Sequence, residues 1–167
     1  RTGLNVEDHS GDWLLLTWKA QVTRRAQFQI QRVKPKYKAL DVSWVMELAR
    51  LSAHEDGPKL AQKLLADHGI VLVIERQITG MNVDGAAFLV DETPVIGMTL
   101  RHDRIDNFWF TLMHELGHVL LHKTSSIDDD RDMHSYDGRE REANAFAGNL
   151  LVPEAFLLAI RDADRPA

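Results

Sequence analysis

Apolar positions along this chain recur at two periods, and the change between them divides it. From Asp12 to about Gln31, Trp13, Leu16, Ala20 and Arg24 fall at related three- and four-residue positions, which predicts an amphipathic helix. The Lys34-Pro35-Lys36 break ends it, because proline lacks an amide donor and pushes the preceding residue out of the helical region. Two more helices are predicted: Val42 to Ser52, capped by Asp41 or Ser43, and Pro58 to Asp67, opened by Asp56-Gly57-Pro58 and closed by His68-Gly69. Short β-branched runs then take over at Ile70 to Ile74, Ala86 to Val90 and Val95 to Leu100. Thr79-Gly80, Asp84-Gly85 and Glu92-Thr93-Pro94 are the turn signals between them. They predict a small, mostly antiparallel sheet.

Helical period returns at Phe110 to His122, where Phe108, Leu112, Leu116, Val119 and Leu120 form a buried stripe behind an N-cap at Asp103 or Asp106. A second helical stretch covers Arg139 to Pro153, and a short last helix is expected at Glu154 to Asp162. Trp13, Trp18 and Trp44 are most simply core residues. Helices, three strands and helices again define an α+β domain, with residues 1–40 as an N-terminal helix and connector and 41–167 as the main domain.

The chemistry lies in the helix that follows the sheet. Residues 110–122 read FTLMHELGHVLLH, so His114, Glu115 and His118 form an HExxH unit. Four residues turn a helix by about 400°, which puts both imidazoles on one face, able to close on one metal ion. Glu115, one position after the first histidine, can reach a water at that metal. A zinc site of this kind takes three protein ligands, so a third is needed from another element. Glu140 lies at the edge of the inward face of the next helix, with Ala143, Ala147, Leu150 and Leu151, whereas Glu142 points about 200° away and is the fallback. Asn144, one turn beyond Glu140, is placed to hold a ligand. Tyr136 and His134, expected in a loop, and His122 are candidates to touch substrate or support the site. His122 is too far along the helix to join His114 as a ligand, and its position suits the C-terminal dipole. His9, His54, His68 and His102 have no spaced partners.

These blocks resemble the ImmA/IrrE family of metallopeptidase domains, in FTLMHELGHVLLH and in EREANAFAGNLLVP at Glu140 to Pro153. GIVLVIERQITG from Gly69, DGAAFLV from Asp84 and PVIGMTLRHDRIDNFWFTL from Pro94 extend the resemblance upstream, so that it runs from about Gly69 to Pro153. The last block is especially similar to proteins in which such a domain follows an Xre- or HigA-type helix-turn-helix module. The resemblance implies a zincin-like arrangement, with His114, His118 and Glu140 binding Zn2+ or another divalent ion and Glu115 as the catalytic glutamate. It also implies an edge strand that pairs with an extended peptide, for which Val95 to Leu100 is the candidate. The expected substrate is a transcriptional repressor, an antitoxin-like protein or another regulatory protein. The alternative is a regulatory or antitoxin-type module acting through a partner, or through DNA by way of an upstream helix-turn-helix domain.

Composition narrows this little. The 167 residues are 44% hydrophobic and 27% charged, ordinary for one globular domain. No apolar run approaches the length of a membrane span and the start RTGLNVEDHS has no signal-peptide core. The absence of cysteine removes disulfides and thiolate metal sites and fits a cytoplasmic setting. Residue 1 is Arg, so an upstream segment is expected. The net charge of −5 argues against general nucleic-acid binding, and the basic stretch Arg24 to Lys38 reads as a solvated helix end and linker. IDDDRD at Ile127 to Asp132 lacks the alternate ligands and central glycine of a calcium loop and reads as a solvated acidic loop.

Overall fold

The computed structural model describes residues 10–38, 42–99, 105–122 and 133–151, with only the backbone of 133–136. Helix α1 spans Ser10–Val33, and α2, Val45–Arg50, continues into a 3₁₀ turn at Leu51–Ala53. Helix α3 is Gly57–Asp67, the strands are β1 Val71–Glu75, β2 Gly85–Val90 and β3 Thr93–Thr99, and the last described helices are α4 Ile105–His122 and α5 Met133–Leu151. The predicted helix at Glu154 to Asp162, the acidic loop at Ile127 to Asp132, and Asp103, His102 and His9 lie outside the described residues. Among those described, no helix is long and apolar enough to cross a membrane.

The sheet order is β1-β3-β2, with β1 and β3 parallel and β2 antiparallel to β3. The sheet is therefore mixed rather than mostly antiparallel. The segment between β1 and β2 carries the chain past the position that β3 later fills, so the third strand inserts between the first two. The β2–β3 hairpin turns at Asp91 and Glu92, with φ of 47° and 63°, where the sequence pointed to Glu92-Thr93-Pro94. Positive φ at both turn positions gives the twist a two-residue hairpin needs. Pro94 then sits inside β3, beyond the start of its pairing with β1 at Val71↔Val95, where a missing amide proton breaks no bond to that strand.

Two apolar layers cover the sheet. Leu72, Ile96 and Met98 meet Leu112, Leu116 and Leu65 on one side, while Val71, Val73 and Val95 meet Trp18, Val22 and Ala26 of α1 on the other. The alternation within each strand is the period-two rule at work. Both faces of β3 are covered, which is why its apolar run is nearly continuous. Gly97 makes the α1 contact close: a Cβ there would lie 2.9 Å from the Trp18 ring.

Helix α1 is rotated from the sequence reading. Its buried stripe is Trp18, Val22 and Ala26, and Trp13 is 70% exposed instead of buried in the core. The stripe drawn through Trp13 and Leu16 fails because Leu16 also faces solvent, and periodicity alone does not fix which apolar face of a helix meets a sheet. Trp44 is buried as expected and stacks on His68, whose Nδ1 pairs with the Leu64 carbonyl at 2.9 Å, so this histidine is structural. The N-cap residue of α2 is Trp44, one past Ser43, and Asp41 lies outside the described residues. Gly69 closes α3 at φ +81°, and a side chain there would run into the backbone of Tyr37.

The two outer strands differ at their edges. In β1, the Gln62 amide donates to the Leu72 carbonyl at 3.0 Å. In β2, the ladder bond from Thr99 N–H to Asp84 C=O and the even register place residues 84, 86, 88 and 90 in bonded pairs. The backbone groups of Gly85, Ala87 and Leu89 therefore point away from β3, along an edge that runs beside α4.

Candidate metal centre

Helix α4 carries the histidines because its apolar residues anchor it from below. Leu112, Met113, Leu116 and Val119 are fully or nearly fully buried, which leaves the His114–His118 side at the boundary of the core. Helix α5 comes close to it at Gly117, where a Cβ would be 3.2 Å from the Ala143 Cα. That approach brings Glu140 to the imidazoles.

Three side chains converge there. His114 Nε2 and His118 Nε2 are 3.1 Å apart. Glu140 reaches both, Oε2 to His114 Nε2 at 3.2 Å and Oε1 to His118 Nε2 at 3.1 Å. Metal–nitrogen bonds of about 2.0–2.1 Å in tetrahedral geometry put ligand atoms about 3.3 Å apart, so these separations are already close to those of a bound zinc ion. The remaining ring nitrogens are engaged elsewhere, His114 Nδ1 with Asn144 Oδ1 at 2.9 Å and His118 Nδ1 with His122 Nδ1 at 3.0 Å. Both Nε2 atoms thus face the Glu140 carboxylate, and the donor set of two imidazoles and one carboxylate fits a divalent ion. Burial lowers the pKa of His118, against the opposing pull of Glu140, which keeps the ring in the neutral form that a metal requires.

Glu115 lies on the β2 side of the histidines. It is 8% exposed, and burial followed by the nearby Glu140 carboxylate pushes its pKa up to about 8, with a hydrogen bond from the Ala87 backbone N–H pulling the other way. Ala87 belongs to the free edge of β2, so Glu115 stands between the metal-binding side chains and that edge. Gly85 makes room for it, since a Cβ there would lie 2.8 Å from Thr111 Cγ2 and 3.0 Å from Glu115 Cγ.

The structure brings together His114, His118, Glu140, Glu115 and Asn144 as expected from spacing. Glu142 is no ligand: its Oε2 sits 2.9 Å from His122 Nε2. Sequence reading saw His122 chiefly as a helix-end residue and gave no sign of this pair, although the step of four from His118 was visible. His134 and Tyr136 fall in the first turns of α5 rather than in a loop, because only Gly138 interrupts the helical run there and an exposed helical glycine costs about 1 kcal/mol. Their side chains lie outside the described residues. Nothing in the sequence pointed to the Ala87 amide.

An HExxH helix with a glutamate from the following helix defines a metallopeptidase-type metal centre. The profile described as the IrrE N-terminal-like domain, of the M78 peptidases, matches residues 65–166, well over half of the 167-residue chain. The chain belongs to that family. No curated protein and no solved structure matches it significantly.

Proposed function

We propose that this protein is a zinc-dependent endopeptidase whose substrate is a specific regulatory protein. The observation that carries the reading is the convergence of two imidazole Nε2 atoms and the Glu140 carboxylate beside a buried glutamate that none of them needs for ligation. Zinc held there would supply Lewis-acid polarisation of the scissile carbonyl and a more acidic water. Glu115 takes the water proton and returns it to the leaving amine, and its raised proton affinity suits both halves of that task near neutral pH.

The substrate chain lies along β2, not β3. Val95 to Leu100 was the candidate edge, but β3 is central and its backbone groups are committed on both sides. Gly85, Ala87 and Leu89 direct backbone groups away from β3 beside the metal residues, and although the Ala87 N–H is taken by Glu115, its carbonyl and the groups of Gly85 and Leu89 face the side where strand addition occurs. A transcriptional repressor or antitoxin-like protein as the target and an upstream helix-turn-helix module rest on the family resemblance, and a cytoplasmic setting on the absence of cysteine.

The test is incubation of the zinc-loaded protein with candidate regulators, alongside Glu115→Gln. Cleavage by the parent alone supports the peptidase. Partner or DNA binding that is identical in both, with no cleavage by either, supports the regulatory alternative instead.

A further inference from the structure

We propose that His122 and Glu142 are positioning residues that bias the tautomer of His118; this rests on the reading that His114, His118 and Glu140 hold a metal. The three side chains form a line, His118 Nδ1 to His122 Nδ1 at 3.0 Å and His122 Nε2 to Glu142 Oε2 at 2.9 Å. Each neutral imidazole carries one proton, so the order of protons along this line is set from its ends. A carboxylate only accepts. Glu142 therefore favours the His122 proton on Nε2, the order that a metal on His118 Nε2 also needs, and this leaves His122 Nδ1 as an acceptor facing His118. His118 must then carry its own proton on Nδ1, and its Nε2 is left as a lone pair aimed at Glu140 and His114.

Two carboxylates act on this line from opposite ends: without a metal Glu140 Oε1, 3.1 Å from His118 Nε2, favours the reverse order, and Glu142 opposes it. If His122 donated from Nδ1, its bare Nε2 would face the carboxylate oxygen at 2.9 Å, two acceptors with no proton between them. It would also leave His118 with its proton on Nε2, pointing into the ligand cluster and blocking coordination. The other ligand is held less selectively. His114 Nδ1 meets Asn144, whose amide presents a donor as readily as an acceptor when it turns over. Selection through an anion two rings away is specific to His118. The geometry suits a fixed device: the His122 side chain is 8% exposed and enclosed between His118 and Glu142, while Glu142 is 65% exposed.

Two measurements on the full chain test this. Long-range nitrogen–proton correlation spectra of the metal-free protein, at a pH above the ordinary histidine range, should show a measurable fraction of His118 as the Nδ1–H tautomer. In Glu142→Gln, whose amide satisfies either order, His118 should shift toward Nε2–H. Zinc affinity measured against a competing chelator should fall about 10-fold in Glu142→Gln and toward about 100-fold in His122→Phe, the range seen when a partner of a ligating histidine is lost. His122→Gln, whose carbonyl can accept the same proton, should recover most of the loss. Packing by His122 predicts the opposite ranking, with Phe harmless. Should His122→Phe fail to fold, the exposed Glu142→Gln carries the test alone. The proposal is overturned by unchanged zinc affinity in Glu142→Gln, or by a His118 tautomer ratio that Glu142→Gln leaves unchanged. A parent that binds no zinc overturns the metal reading, and the spectrum then still reports the relay by itself.

Discussion

Neutralising Glu115 should change how the stability of the metal-free protein depends on pH. In the folded state this carboxyl has its pKa pushed from 4.5 to about 8, by burial first and by Glu140 second. The unfolded chain gives up that proton near the ordinary value. The folded state therefore holds a proton that the unfolded state has lost, and its stability is full below about 4.5, declines as pH rises toward about 8, and is level above. A shift of this size corresponds to at most about 5 kcal/mol, and relaxation around the charged form brings the expected value to about 2–5 kcal/mol. Gln keeps the shape of the protonated carboxyl and never ionises. His118, lowered by burial, adds a loss of stability as pH falls through the histidine range, but it does so in both proteins and cancels in the difference. Urea unfolding of chelator-treated parent and Glu115→Gln across this range should give equal stabilities at the acid end and a variant advantage that grows to its full value above about pH 8. Parallel stability curves would refute the reasoning, because they would mean that Glu115 titrates alike in both states.

Three further outcomes follow from the same geometry. Gly85→Val should cut kcat while zinc affinity holds, since the new side chain meets Thr111 and Glu115 but none of the three metal-binding residues; kinetics with chelator competition separates the two. Gly97→Ala should destabilise the fold by about 1–3 kcal/mol in urea unfolding, because its Cβ would lie 2.9 Å from both the Trp18 ring and a Val22 methyl in a packed layer. Zinc binding near neutral pH should release protons, read as buffer-dependent heat in calorimetry, because a dication beside Glu115 offsets the repulsion from Glu140 that helps keep it protonated.

The metal side chains were legible because helical spacing is a rigid rule: His114 and His118 share a face whatever surrounds them, and Glu140 shares one with Ala143 and Ala147. Residues whose roles depend on how elements meet were not. Trp13 and Trp18 are both apolar residues on one helix, and only the sheet decides that Trp18 is buried and Trp13 is not. The edge strand was misplaced for the same reason. Three short runs in order 1, 2, 3 do not reveal that the third lies in the middle. The Glu142–His122 pair needed the approach of α5 to α4, which depends on the small residues Gly117 and Ala143.

The division of labour among the carboxylates follows from burial and partners. Glu115, Glu140 and Glu142 all lie near the three histidines of α4, yet they meet different environments. Glu142 is largely exposed and meets His122. Glu140 is one-third exposed and faces two Nε2 atoms, so it has both solvent and a place for a cation. Glu115 has neither, and burial raises its proton affinity. An exposed carboxyl beside one histidine, a partly exposed one facing two Nε2 atoms and a buried one with raised proton affinity are three distinct chemical characters. They arise here from one residue type, separated by how far each side chain is removed from water.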